Sequence, residues 1–146
     1  MILDALTTIS DAQAVDENDA YSTYSIDLSN ASTKRRVGTG EPLALVFTVD
    51  VSASGSTDTF DFSVVSSTAV GLSTSTKNLV KRRIAKASLT AGSIHVIPIP
   101  PGEPQQRYIG GYYECGSGDG ITLSAYIIPL NDVGQVQHYA DAVTWS

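Results

Sequence analysis

Apolar and polar residues alternate with a period of two along most of this chain. In LALVFTVDV (43–51), Leu43, Leu45, Phe47, Val49 and Val51 fall on one side, with Thr48 and Asp50 on the other, the pattern of a strand with one buried face. DTFDFSVV (58–65) repeats it, with Phe60, Phe62 and Val64 set against Asp61 and Ser63. The intervening SASGST is turn chemistry, so these two strands are expected to form a hairpin. A shorter alternation runs through Tyr24, Ile26 and Leu28 and closes at Ser29-Asn30. Another, in GITLSAYIIP, uses Ile121, Leu123, Ala125 and Ile127 until Pro129 removes a ladder donor.

The stretch IPIPPGEPQQRYIGGYYE (97–114) interrupts this pattern. Ile94, Val96 and Pro98 line one side of an incoming strand, and Pro100-Pro101-Gly102 forces a turn, because proline fixes φ and glycine permits positive φ. A return strand starts at Arg107-Tyr108-Ile109. Gly110-Gly111 lies within it, flanked by Tyr108, Tyr112 and Tyr113. Glycine inside a strand leaves a gap or admits a close neighbour; the expectation is that the rings cover the gap, the alternative that they form a flat aromatic surface for a partner. Between 75 and 92, LVKRRIA reads as an edge strand guarded by positive charge rather than as a short amphipathic helix, and LTAG as a tight turn.

About eight short strands and almost no helix result, and such strands must stack or close to bury their apolar faces. The predicted fold is therefore all-β, an antiparallel β-sandwich over 21–130. Residues 1–20, small and acidic without clear period, read as an N-terminal arm, and 131–146, ending near Trp145, as a C-terminal tail. A chain of 146 residues suits one such domain. With 42% apolar and 16% charged residues it is too apolar for a disordered chain.

The formal charge is −6, and its distribution says more than its sum. Residues 1–33 hold six acidic residues and no Lys or Arg, whereas eight of the nine basic residues fall in two clusters, Lys34-Arg35-Arg36 and Lys77, Lys81, Arg82, Arg83, Lys86. Each cluster is read as a solvated face, with a charged surface that orients a protein partner as the sharper alternative. A pI near 4.6 argues against nucleic acid as the partner. No run approaches the ~20 apolar residues that span a bilayer, so no membrane partner is expected. MILDALTTISDAQAV lacks the basic start and long apolar stretch of a signal peptide, so the chain is expected to stay in the cytosol that makes it, and Asn30-Ala31-Ser32 to be a chance sequon.

Candidate chemistry is sparse. Cys115 is alone, and neither His95 nor His138 has a second ligand at metal spacing, so no metal or cofactor is expected. Asp16-Glu17-Asn18-Asp19 opens like a calcium loop, but Tyr21 stands where that loop needs glycine. Gly38-Thr39-Gly40 and Gly116-Ser117-Gly118-Asp119-Gly120 read as hairpin loops, not as phosphate loops or a nucleophile elbow. Asp50, Asp58 and Asp61 are the candidates for a carboxylate pair, yet alternation sets Asp50 and Asp61 on outward, solvated faces. Nothing in the sequence argues for catalysis.

Four stretches carry a resemblance: MILDALTTISDAQAV, GTGEPLALVFTVDV (38–51), IPIPPGEPQQRYIGGYYE and GITLSAYI (120–127). In order and spacing the chain resembles the capsid cement, or decoration, proteins of tailed bacteriophages. The resemblance implies a jelly-roll sandwich on the outer face of an icosahedral shell that self-associates, as a homodimer or else a trimer, and straddles adjacent major capsid protein subunits. Its loops and N-terminal arm would make the contacts. The candidate contact residues are Asp11, Asp16, Arg35, Arg36, Tyr112 and Tyr113. The alternative is a carbohydrate- or receptor-binding β-sandwich that uses surface tyrosines as stacking platforms.

Overall fold

The computed structural model describes residues 8–16, 19–27, 43–100, 107–116 and 118–129. The strands are β1 (Thr8–Asp16), β2 (Ala20–Tyr21), β3 (Ile26–Asp27), β4 (Leu43–Ser54), β5 (Thr59–Ser67), β6 (Lys77–Ala85), β7 (Ile94–Pro98), β8 (Tyr108–Glu114) and β9 (Gly120–Pro129), with one 3-10 turn at Lys86–Ser88. They make two antiparallel sheets, β1-β9-β4-β7 and β2-β8-β5-β6, with β3 continuing β2 alongside β8.

That order is a jelly roll. The pairs β5·β6, β4·β7, β2/β3·β8 and β1·β9 nest like the rungs of one long hairpin whose tip is the 68–76 loop. Rolling the hairpin adds β4·β9 and β5·β8. Apart from β5 to β6, and β2 to its continuation β3, each strand is therefore followed by one in the opposite sheet.

This corrects three local expectations. β4 and β5 are not a hairpin: the SASGST link crosses from sheet to sheet, and Phe47 and Phe62 meet across the core with ring centroids 4.5 Å apart. The strand before Pro100 and the strand after Arg107 likewise lie in different sheets, and the 115–119 loop is a crossing rather than a hairpin. The turn residues Pro101 and Gly102, and the loop at 38–40, lie outside the described residues. Turn-forming residues bend the chain in either case; they do not choose the partner. Asp119 ties two of the crossings together, its Oδ1 accepting from Thr57 N–H (3.2 Å) and its Oδ2 from Gly116 N–H (3.1 Å). The Thr57 hydroxyl foremost, with these N–H groups, holds that carboxyl below its ordinary range against the opposing effect of burial.

Inward positions follow the alternation. Leu45, Phe47, Val49, Phe60, Phe62, Val64, Ile121, Leu123, Ala125 and Ile127 all lie in the main core, each large side chain contributing about 1.5–3 kcal/mol of burial. Val51 departs from it. A bulge between Val49 and Val51 flips it to the surface, 59% exposed. β4 and β9 also bury apolar residues on their outer side, where Ala44, Val46 and Ile128 cluster with Ile94, Val96 and Tyr126.

A further correction concerns the N-terminal segment. Residues 8–16 are not part of an arm; they form β1, an edge strand of the sandwich paired with β9. Two register shifts break its period, Ala12 sits at φ 44°, and its N–H turns to Ser124 Oγ at 2.9 Å. The inward side also carries polar Ser10 and Gln13, which bond each other at 2.7 Å. Bulges and polar inward residues together remove the signal that alternation reads. The tail at 131–146 lies outside the described residues.

Each sheet edge is guarded. β1 is bulged, and β2 and β3 have two residues each. β6 faces β7 across the open side of the sandwich, and Arg82, in register with Phe62, donates from Nη1 to the Val96 carbonyl on β7 at 2.9 Å. A cation turned inward on an edge strand, occupying an edge carbonyl, opposes pairing with another chain. The edge strand expected at LVKRRIA (79–85) is thus present, within β6, with its charge in use.

Candidate functional site

Outward positions of β8 are Tyr108, Gly110, Tyr112 and Glu114, and the pairing with β2, β5 and β6 brings their cross-strand neighbours beside them. Tyr112 sits opposite Tyr21, with ring centroids 4.7 Å apart and planes at 34°. Its Oη donates to Asp19 Oδ2 at 3.2 Å, while Asp19 Oδ1 accepts from Cys115 N–H at 3.0 Å. Burial and then the Asp19 carboxylate push the Tyr112 phenol up to about 12. The two rings and one carboxylate form a fixed, half-buried platform on the outer face of this sheet.

A charge ladder adjoins the platform. Lys81 Nζ lies 2.7 Å from Glu114 Oε2 and 3.5 Å from Asp61 Oδ2, and Arg83 grips both Asp61 oxygens at 2.9 and 3.3 Å. Arg83's hydrogen bond holds the Asp61 carboxyl below its usual range, and Glu114 raises Lys81. Solvent screening leaves such pairs little stabilising value; their effect is to fix charges in place. Two cations meet two carboxylates, so this part of the basic cluster is locally neutral. Arg82 caps Val96, and Lys86 Nζ donates to the Gly55 carbonyl at 2.8 Å. Four of the five basic residues at 77–86 are thus engaged within the chain, which disfavours reading them as a free basic patch.

Tyr113 is placed differently from Tyr112. It points inward, 1% exposed, and packs 6.1 Å from Phe62, so it cannot meet a partner as the sequence reading proposes; adjacent residues of a strand face opposite ways. Its Oη pairs with Ser10 Oγ at 2.7 Å, and burial drives the phenol well above its ordinary range. The glycine pair explains how the rings fit. A Cβ on Gly111 would lie 2.8 Å from Tyr113 Oη and 2.9 Å from its Cε1, and one on Gly110 would collide with Leu72, which folds over the outer face. Only Tyr113 covers a glycine; Leu72 covers the other, while Tyr112 pairs with Tyr21 and Tyr108 lies 5.0 Å beneath the Arg107 guanidinium.

The remaining candidates do not converge on the platform. Asp11 is exposed on β1, and both it and Asp50 act on Tyr126, whose phenol is raised first by burial and then by these carboxylates. Asp50 accepts from Ser124 Oγ at 2.7 Å. These groups belong to the other sheet. Asp16 is exposed at the end of β1 opposite Gly120, and Arg35 and Arg36 lie outside the described residues. Sequence reasoning missed Tyr21, Asp19, Asp61 and Glu114 as parts of the Tyr112 surface, because only cross-strand register joins them; the alternation that marked Asp61 as outward was the one available signal.

Asp50 and Asp61 face outward on opposite sheets, so they form no carboxylate pair. Among the described residues no group of three or more His, Cys, Asp or Glu side chains could hold a metal ion. No helix is long and apolar enough to cross a membrane among those residues. No curated protein matches the chain. A family model, Bbp16, matches residues 9–125. Since that match runs from β1 into β9 and takes in both sheets, the chain belongs to the Bbp16 family.

Proposed function

We propose that this protein is a structural virion component that binds the outer face of an icosahedral phage capsid and stabilises contacts between major capsid protein subunits. The observation that carries the reading is the Tyr21–Tyr112 platform, held by Asp19 and flanked by fixed charges on the face of a sheet whose edges are guarded. Tyrosines with restricted rotamers offer contact area at small entropic cost. The resemblance to cement proteins across the chain supports it. A protein that binds the assembled lattice better than its free subunits stabilises the lattice by mass action, and repeated copies add avidity. Contacts with the shell and between copies would use faces and loops, because edge addition is opposed; a homodimer is the expected free state, in the cytoplasm of the host bacterium before assembly.

Cosedimentation with mature shells purified without the protein tests this. Wild type is expected to pellet saturably, and Tyr21→Ser/Tyr112→Ser to pellet less. Absence of wild-type binding would remove the capsid reading; equal binding by the variant would remove the platform from it. The Tyr21–Tyr112 pair also favours a second reading, a carbohydrate- or receptor-binding module. Binding on a glycan array, with a change in tyrosine emission on titration of the sugar, would favour that alternative.

A further inference from the structure

Along the outward row of β8, Tyr108 and Tyr112 are each met by an aspartate from the 19–27 stretch. Tyr108 is in register with Asp27 on β3, and the Arg107 guanidinium lies 5.0 Å from the Tyr108 ring centroid while pairing with both Asp27 oxygens at 3.1 and 2.9 Å. Ring and carboxylate both favour the cation, so the three groups hold together as one unit. Tyr112 is in register with Tyr21 on β2, whose ring centroid lies 4.7 Å away, and its hydroxyl is bonded to Asp19 Oδ2. Rings and carboxylate recur at this second place, without a guanidinium among the described residues. On the same face Arg107 answers Asp27, Arg83 answers Asp61 and Lys81 answers Glu114. Asp19 has no cation among the described residues. Its Oδ2 accepts from Tyr112 and its Oδ1 from Cys115 N–H, which leaves about half of a carboxylate's roughly four acceptor positions open on an exposed residue. Glu114, next on the row, adds to the negative field at the Tyr112 phenol, after burial and Asp19.

We propose that Tyr21, Tyr112 and Asp19 take an arginine side chain of a capsid protein subunit, its guanidinium against the tyrosine rings and its donors on Asp19; this rests on the capsid-binding reading above and names the group its platform receives. Arginine suits the site better than lysine. A planar guanidinium stacks on a ring and presents paired donors to a carboxylate at once, whereas an ammonium is a compact, strongly hydrated point charge. Arg107 adopts that arrangement on the same strand edge, with Tyr108 and Asp27 as its partners. The receiving groups are ordered beforehand, because the Tyr112 hydroxyl and the Cys115 N–H hold Asp19 from two sides, so docking costs little side-chain entropy. One such contact at the solvent boundary is weak, since water and salt screen it. Repetition over a lattice makes it count. With a formal charge of −6, the whole chain also favours a partner surface of opposite sign.

The test compares wild type, Asp19→Asn and Asp58→Asn in cosedimentation with mature shells purified without the protein. D58N removes an equal charge at an exposed residue outside the platform, and urea midpoints confirm that both variants fold. D19N is expected to need about tenfold more protein for half-saturation and to lose affinity less steeply with added salt, while D58N matches wild type. N-acetyl-arginine amide is expected to displace wild type from shells more than N-acetyl-lysine amide does at equal ionic strength. Equal binding by D19N and wild type, or equal displacement by the two amides, overturns the arginine site and leaves the capsid reading standing. Failure of wild type itself to bind overturns both. A change of oligomeric state in D19N, seen by light scattering, with shell binding per oligomer unchanged, would assign the platform to a second copy of the chain and overturn the proposed occupant.

Discussion

Removing the Ser10 hydroxyl should harm this protein more than removing the Tyr113 hydroxyl to which it is bonded. Ser10 has one proton and gives it to Gln13 Oε1, so Tyr113 must donate to Ser10 Oγ; Gln13 Oε1 also accepts from Thr23 N–H, and its Nε2 donates to the Tyr21 carbonyl. The chain links β1 of one sheet to β8 and the β2 region of the other. Tyr113→Phe deletes one bond and leaves Ser10 donating, for a loss of about 1 kcal/mol. Ser10→Ala strands a fully buried phenol, for about 1–3 kcal/mol, while Gln13 keeps its Thr23 partner. In the S10A background, Y113F should therefore be neutral or stabilising. With a urea slope of about 2 kcal/mol per molar, Y113F alone lowers the midpoint by about 0.5 M, and S10A by up to about three times that. A double-mutant cycle by urea denaturation, at constant slope, reads the coupling directly. If Y113F costs the same in both backgrounds, the hydroxyls do not act on one another and the assignment is wrong.

Three further outcomes are expected. His95 stacks on Phe47 at 5.1 Å and donates from Nε2 to the Ser88 carbonyl at 3.1 Å; burial, with Arg82 near by, depresses its pKa below 6.5. Stability should be complete above that value and fall as pH drops through the folded-state pKa; His95→Gln should flatten the slope of the urea midpoint against pH, and an unaltered slope would exonerate the imidazole. The Tyr112 phenol, raised from 10.0 to about 12, favours the fold below the lower value and withdraws that support as pH climbs towards the higher; a tyrosinate absorbance titration of Tyr112→Phe should lose a component near the upper value, and retention of it would mean another ring titrates there. Arg82→Ala frees the Val96 carbonyl and removes the inward cation, so concentration-dependent association should appear in light scattering; an unchanged mass up to the solubility limit would show that the edge needs no such guard.

The jelly roll gives this protein two distinct outer faces. Both sheets expose a worked outer face: Tyr21, Tyr112 and the charge ladder on one, the bulge at Ala12 with Asp11, Asp50 and Tyr126 on the other. The hairpin tip sits over the first of these through Leu72. Under the proposed capsid-binding role, a rigid block with two distinct outer faces is what bridging between subunits would require.

Alternation alone determined fold class and most of the main core, because burial of one strand face imposes a period of two that any reader of the chain can see: Leu45, Phe47, Phe60, Phe62, Leu123 and Ile127 all lie where it places them. It also set Asp61 on an outward face, but it did not separate Tyr112 from Tyr113, both of which it offered as contacts. Pairing was another matter. Whether SASGST closes a hairpin or crosses between sheets depends on which distant strand lies alongside, and the choice is made by Phe47 meeting Phe62 across the core and by β9 inserting beside β4. Strand β1 stayed hidden because its bulges and its inward Ser10 and Gln13 erase the period, and Val51 was misplaced by one inserted residue. The Tyr112 surface joins residues as far apart as 19, 61, 81 and 114; side chains so distant along the chain become neighbours only through cross-strand register, a property of the folded pair that neither strand contains by itself.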